Sequence, residues 1–192
     1  QSVNTLDLKD TVIADNTRVN LAAILSIFVI LLLTFRSGSL PILLLLVIES
    51  SIWINLTVPY FMDTQLHYTA YLIISSIQLG ATVDYAILFS NRYLEHRATT
   101  DKKTAAIHTV RDCTISILTS GSILAVCGSI MGKISTSLII SQLGVLVGRG
   151  AIFSMILVLF VLPGLLILCD GIIQKTTSKK KFHFYKAEVD AK

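Results

Sequence analysis

Long runs of apolar residues, separated by short polar stretches, dominate the chain. Each run spans about 20 residues, and a helix that rises about 1.5 Å per residue then crosses the roughly 30 Å hydrocarbon core of a bilayer. The pattern therefore predicts an all-α fold, a polytopic membrane bundle of five transmembrane helices. The predicted spans are residues 19–35, 38–58, 70–90, 113–131 and 142–168.

The composition supports the membrane assignment. Hydrophobic residues make up 53% of the 192 residues and charged residues only 15%, whereas a soluble domain carries about 25% charged residues. The three cysteines, Cys113, Cys127 and Cys169, lie in or beside apolar runs without metal-ligand spacing. We expect them to be small buried hydrophobic residues, and we predict no metal site and no cofactor.

Basic residues are concentrated in three polar segments. The turn at 36–39, the stretch 91–112 and the tail 169–192 carry most of the lysines and arginines, whereas the loops 59–69 and 132–141 hold a single lysine between them. Because short cytoplasmic loops are enriched in Lys and Arg, we expect the three basic segments to be cytoplasmic and the two loops external.

The polar segments outside the spans allow further assignments. Residues 1–18 are predicted to lie on the extracellular side. Apolar positions within 91–112 predict an interfacial helix along the inner leaflet, with a solvated charged face as the alternative. The tail mixes cations with aromatic residues and is predicted to contact anionic lipid headgroups, or else to be disordered. The chain begins at Gln1 without a starting Met or a signal-peptide pattern, so we expect a piece of a longer protein.

Small residues recur at helical spacing in the last two spans. Gly128 and Gly132 are four residues apart, as are Gly144 and Gly148. Such pairs favour close packing of helices in lipid. Packing is the first interpretation, and an interface that slides during transport is the alternative.

Three ionisable residues, Glu49, Asp84 and Arg149, fall within the predicted spans. A charge at that depth is costly, so we expect each to face the interior of the bundle in a polar network. For Glu49, two interpretations stay open: a role in proton transfer, or a neutral acid hydrogen-bonded by the nearby Ser50, Ser51 and Asn55. For Arg149, the alternative is a side chain that extends towards the membrane surface or donates to backbone carbonyls.

Asp84 is followed directly by Tyr85. Burial favours the neutral form of a carboxyl, which suits a group that takes up a proton on one side and releases it on the other. The tyrosine hydroxyl both donates and accepts hydrogen bonds, but neighbouring helical residues point about 100° apart and reach different partners. The sequence therefore indicates a proton relay at this pair. The alternative is an ion pair between Asp84 and Arg149 that only holds helices together.

Three stretches of the chain carry a resemblance to a known family. The stretches LGATVDYAILFSNRYLEHR (79–97), TSGSILAVCG (119–128) and LGVLVGRGAIFSMILVLFVLPGLL (143–166) resemble the MMPL branch of the resistance–nodulation–division (RND) superfamily. The likeness covers nearly the whole chain and corresponds to helices eight to twelve, the C-terminal half of the transmembrane domain. Residues 1–18 then look like the exit of the external porter domain.

The resemblance implies a function. It identifies Asp84 and Tyr85 with the family's proton-relay pair, which faces an equivalent pair in the first half of the transporter. It further implies export of lipids or other hydrophobic or amphiphilic cargo, driven by proton motive force across the bacterial plasma membrane, with protons as the coupling ion. The partners are then membrane lipids, the cargo and the missing first half, with no nucleic acid. Glu49 and Arg149 do not belong to the family-wide motif.

Other functions are alternatives to export. The same helical block serves as a sterol-sensing or assembly domain in proteins that do not transport, and this is the main alternative. An intramembrane aspartyl protease needs a second membrane aspartate and a GxGD sequence, which the spans lack. No phosphate-binding loop is present. The chain is therefore expected not to be an enzyme.

Overall fold

Helices form all the regular structure in the part of the chain that the computed structural model describes, residues 2–61 and 68–176. Five helices there are long and apolar enough to cross a membrane, and no strand occurs among the described residues, which confirms the predicted fold class. The helices are α1 (Ser2–Phe35), α2 (Ser39–Phe61), α3 (Tyr68–Arg97), α4 (Lys102–Ile134), α5 (Leu138–Ile156) and α6 (Leu162–Thr176).

A π-helical turn, Leu157–Val161, joins α5 to α6, so that the two form one long membrane helix. In this turn the Leu162 N–H donates to the carbonyl of Leu157, five residues earlier. The next residue is Pro163, which has no N–H to donate. The irregular hydrogen bonding thus falls where an α-helical ladder would be interrupted in any case.

The connection between α1 and α2 reverses the chain within three residues. Arg36 adopts a left-handed conformation with φ of 47°, and its N–H donates to the Leu32 carbonyl at 2.8 Å, which closes α1. Gly38 follows two residues later but does not adopt a positive φ, so the left-handed residue of this connection is Arg36. Pro41 lies inside the first turn of α2, where a proline is tolerated because the first N–H groups of a helix have no intrahelical partner.

The prediction of a separate interfacial helix over residues 91–112 is wrong. The segment is divided between the end of α3 and the start of α4, with a short turn between Arg97 and Lys102. Two of its apolar residues face the bundle core, since Leu94 is 1% exposed and Ala105 is fully buried, whereas Ile107 is 70% exposed. Both helices therefore continue beyond the apolar runs that suggested their ends. Residues 177–192 of the predicted tail lie outside the described residues.

The described parts of the three basic segments lie together at one end of the bundle. The Ser39 hydroxyl, at the start of α2, lies 2.6 Å from the Thr176 hydroxyl at the end of α6. Arg97, at the end of α3, contacts Asp170 of α6 at 3.0 Å. The α1–α2 connection, the α3–α4 connection and the end of α6 thus share one end, which we call the basic end.

The helices differ in how much of their surface is covered. Only 11% of the membrane window of α1 is buried, against 44% for α3. The larger of two apolar clusters among the described residues joins all six helices, with Phe89, Ile117 and Leu162 among its fully buried members. The central position therefore belongs to α3, the helix that carries Asp84.

Glycines determine the contact between α4 and α5. A Cβ atom added to Gly128 would come within 2.6 Å of the backbone nitrogen of Gly148. One added to Gly144 would come within 2.6 Å of the Gly132 nitrogen and 2.8 Å of the Gly128 carbonyl oxygen. The neighbouring atoms belong to the backbone, so neither helix can give way by a side-chain rotation. All four glycines of the two small-residue pairs thus lie where α4 and α5 touch.

Replacing one of these glycines is expected to separate the two helices. Gly144→Ala should lower the stability of the purified protein by about 1–3 kcal/mol because the methyl group meets backbone on α4. The matched control is Gly164→Ala on α6, where a Cβ meets nothing within 4 Å. Melting curves in detergent should shift to lower temperature for the first variant and stay close to the wild type for the second. Equal melting temperatures would contradict the close contact.

Candidate functional site

Asp84 and Tyr85 point to different sides of α3. The Tyr85 side chain is 8% exposed and belongs to the apolar core. The Asp84 side chain is exposed, so it does not face the interior of this five-helix bundle. Successive side chains on a helix point about 100° apart, and the core position taken by Tyr85 turns its neighbour outward. No hydrogen bond joins the two residues among those described.

Asp84 belongs to an exposed row of small residues on α3. Ser76, Gly80 and Asp84 follow at intervals of four and are all exposed, so they lie on one face of the helix. A Cβ added to Gly80 would meet nothing within 4 Å. We call this surface the open stripe. Its two small residues leave space for the close approach of another helix, and its carboxyl lies at mid-helix.

A buried polar network connects α2, α3 and α5 on another side. The Asn55 amide donates to the Gln78 side-chain oxygen at 2.7 Å and to the Leu146 carbonyl at 2.9 Å. The Gln78 amide donates to Ser51 at 3.2 Å, and the Ser51 and Ser154 hydroxyls are 2.7 Å apart. These groups are satisfied by one another, as buried polar groups in lipid must be.

Arg149 joins this network from α5. Its Nε donates to the Asn55 side-chain oxygen at 2.8 Å, and its Nη2 donates to the Asn55 backbone carbonyl at 3.0 Å. That carbonyl would normally accept from residue 59, four positions later, but residue 59 is a proline inside α2 and has no N–H. The guanidinium therefore supplies the donor that Pro59 removes from the helix.

The network depends on the absence of a side chain at Gly150. A Cβ at this position would come within 2.7 Å of the Gln78 side-chain amide and 2.8 Å of the Asn55 amide nitrogen. Glycine therefore lets the polar side chains of α2 and α3 lie directly against the backbone of α5.

Glu49 lies apart from the network. The serines and asparagine expected to hold it are engaged elsewhere: Ser50 donates to the Leu46 carbonyl at 2.7 Å, and Ser51 and Asn55 face α3 and α5. The Glu49 carboxyl makes no hydrogen bond with any of these three side chains. Among the described residues, its Oε1 atom is buried without a partner. The prediction that these residues hydrogen-bond the Glu49 carboxyl is wrong, because residues 51 and 55 lie on a different face of α2.

Asp84 and Arg149 do not form an ion pair with each other in the described part of the chain. The lock alternative of the sequence analysis therefore has no support from the geometry. The charge of Arg149 is instead shared between two oxygen atoms of Asn55.

A second polar cluster, which the sequence analysis missed, lies at the basic end. Arg97 binds the Asp170 carboxylate with two donors, Nε at 3.0 Å and Nη2 at 3.1 Å, and the Tyr93 hydroxyl donates to the same carboxylate at 3.1 Å. Tyr93 is fully buried and Asp170 is 6% exposed. The cluster ties the end of α3 to α6. The available signal was the single acid at the end of the last apolar run, whose partner lies 73 residues away.

No three His, Cys, Asp or Glu side chains of the described residues come close enough together to hold a metal ion. The polar groups that the structure does bring together are hydrogen-bonding and ion-pairing groups. Their arrangement fixes α3 against α2, α5 and α6 and leaves the open stripe uncovered.

The contact between Arg149 and the carbonyl left by Pro59 predicts a coupling between the two positions. Arg149→Gln should destabilise the protein, and the loss should be smaller in the Pro59→Ala background, because an alanine there restores the helical donor. We expect a coupling of about 0.5–3 kcal/mol in a double-mutant cycle measured by thermal unfolding in detergent. The same loss in both backgrounds would show that Arg149 does not serve this carbonyl.

The cluster at the basic end predicts that Asp170 contributes more to the stability of the protein than Glu95 does. Asp170→Ala should cost ~3 kcal/mol, because it leaves the Arg97 guanidinium and the Tyr93 hydroxyl without their acceptor in a buried place. The control is Glu95→Gln, which breaks the more exposed pair with Arg92 and should cost less than about 1 kcal/mol. Asp170→Asn, which keeps an acceptor for Tyr93, should fall between them. Comparable melting temperatures for Asp170→Ala and Glu95→Gln would contradict a stabilising role.

Comparison with known proteins agrees with the membrane architecture. The family model described as "MMPL family" matches residues 1–185, which include all the helices, the polar network and the open stripe. No match was found among curated proteins or among solved structures. Since the family model covers almost the entire chain, this multi-pass membrane protein belongs to the MMPL family.

Proposed function

We propose that the chain is part of an RND-type exporter driven by proton motive force, and that Asp84 is the group that takes up and releases the proton. The cargo is a lipid or another hydrophobic or amphiphilic molecule. The observation that carries the proposal is the exposure of Asp84 on the open stripe, at the middle of the central membrane helix. Membership of the MMPL family supports it.

A carboxyl in this position needs a covering group. An ionisable side chain facing hydrocarbon is costly, so such groups face a protein interior or a water-filled path. The open stripe offers the space for that cover, because Ser76 and Gly80 carry almost no side chain beside Asp84. We infer that a helix of the first half of the transporter lies against this stripe.

Tyr85 has a supporting role in this proposal. Its ring is held in the core of the bundle, so it fixes the rotation of α3 and thereby the direction of Asp84. We propose that its hydroxyl, which can both donate and accept a hydrogen bond, joins the relay through a further group, because it points to a different side of α3 from the Asp84 carboxyl. Removal of the hydroxyl alone keeps the ring and is expected to preserve the rotation.

The distribution of basic residues supports one orientation of the bundle in the membrane. We propose that the basic end faces the cytoplasm, where short loops rich in Lys and Arg are retained. Asp84 then lies about 20 Å from the cytoplasmic end of α3, since it precedes Arg97 by about 13 residues at about 1.5 Å each. This depth requires a path for the proton on either side, which is consistent with a relay between two compartments.

A sterol-sensing-like or assembly domain is the competing function. It would use the same bundle but would not require exchange of a proton at Asp84. The two functions differ in what they predict for a substitution that keeps the shape of the side chain and removes its charge.

In the full-length exporter, Asp84→Asn should reduce proton-driven export to background while folding and insertion stay intact, because the side chain makes no ion pair among the described residues. Tyr85→Phe should lower export equally or less, since it removes one hydroxyl of the relay. Export is measured in vesicles with an imposed pH gradient, with melting curves recorded in parallel. Normal proton-coupled export by Asp84→Asn would overturn the relay.

A matched pair of glycine variants tests the covering helix. Gly80→Leu places a large side chain on the open stripe, and Gly164→Leu places one on α6, outside the stripe. At both positions a Cβ meets no atom within 4 Å. We expect the first to abolish export and the second to retain it. Equal export by both would contradict a helix packed against the stripe.

A further inference from the structure

A groove lined almost entirely by apolar side chains runs between α2 and α6 near the basic end. Its volume is about 330 Å³, which is within the range of sites for small ligands. The residues that line it share one property, an aliphatic or thiol side chain, except for a serine at one end: Ser39, Ile42, Leu43, Leu46, Leu165, Cys169 and Ile172.

The groove has a buried floor and exposed walls. Leu43 is 9% exposed and belongs to the core, whereas Ile42 and Leu46 are each 59% exposed and Ile172 is 58% exposed. The walls thus stand out from the bundle on both sides of a recess. One turn of an α-helix, about 10–12 Å across and about 5.4 Å long, needs more than this volume. A single extended hydrocarbon chain fits it.

The polar end of the groove is closed by a hydrogen bond between the two helices. The Thr176 hydroxyl donates to the Ile172 carbonyl at 2.7 Å, so the Ser39 hydroxyl is the donor in the 2.6 Å contact between them. Both hydroxyl hydrogens are then used within the protein. A ligand at this end must be held by other groups.

Positive charge is available at the same end. Arg36 is exposed and precedes Ser39 by three residues, in the turn that its own left-handed backbone closes. The first N–H groups of α2 begin at Ser39, and the positive end of a helix dipole attracts anions. An anionic group at the mouth of the groove would lie beside this helix end, with Arg36 in the adjoining turn, while its apolar part follows the groove into the membrane.

We propose that this groove binds one anionic phospholipid of the leaflet at the basic end, with an acyl chain between α2 and α6 and the phosphate group near Arg36. The lipid is a resident of the site and not the exported cargo. It covers the exposed side of the α2–α6 contact and stabilises the seam that Ser39 and Thr176 hold at its end. This proposal does not depend on transport or on Asp84.

Lipid retention tests the proposal directly. The full chain is reconstituted in mixed vesicles of phosphatidylglycerol and phosphatidylcholine, extracted in mild detergent and examined by native mass spectrometry. The wild type should retain one phosphatidylglycerol molecule. Ile172→Trp, which fills the groove, should reduce its retention at least fivefold, and Leu46→Trp should act in the same way from the other wall. Arg36→Gln should remove the preference for phosphatidylglycerol over phosphatidylcholine.

The control for the tryptophan variants is Ile115→Trp on α4, a position that is 75% exposed and outside the groove. It should retain lipid like the wild type. Melting curves identify any variant that fails to fold, and the second tryptophan variant then decides the outcome. Retention that is equal in wild type, Ile172→Trp and Leu46→Trp would mean that the lipid is only part of the general annulus and would overturn the site. An unchanged preference in Arg36→Gln would overturn the phosphate contact.

Discussion

The bond between the Arg149 guanidinium and the Asn55 carbonyl is the interaction on which the arrangement of the central helices depends. In hydrocarbon a backbone carbonyl without a donor is costly, and Pro59 creates one within a membrane helix. The donor comes from another helix, so the same bond that corrects α2 also fixes α5 beside it. Asn55 and Gln78 extend the connection to α3.

Two different kinds of contact hold the helices together in different parts of the bundle. Where α4 and α5 touch, glycines bring backbone against backbone, and dispersion forces at short range replace the hydrophobic effect that lipid does not provide. At the basic end, the buried pair of Arg97 and Asp170 joins α3 to α6. Since α3 is held both there and at the polar network, the rotation of this helix is determined, and with it the exposure of Asp84.

The sequence predicted those features that depend on local composition. Apolar runs indicated five membrane helices, and the spacing of Gly128 and Gly132 indicated a close packing surface, because each signal lies within a single helix. The partners could not be predicted in this way. Arg149 and Asn55 are 94 positions apart, and neither segment contains a sequence signal that identifies the other as its partner. The interfacial helix was misplaced because Leu94 and Ala105 look alike whether they face lipid or the bundle core.

The π-helical turn has a consequence for how the chain tolerates changes in length. Such a turn holds one residue more than an α-helical turn, so every residue of α6 is rotated by about 100° relative to an uninterrupted continuation of α5. Loss of a single residue from Leu157–Val161 would remove the wide turn and keep Asp170 facing Arg97, although Pro163 would still interrupt the ladder of hydrogen bonds. Loss of a residue between this turn and Asp170, with the turn itself kept, would bring Gly171 opposite the guanidinium and leave the cation without its carboxylate. The extra residue in the turn is thus the place where this long helix can be shortened without changing which side chains meet at the basic end.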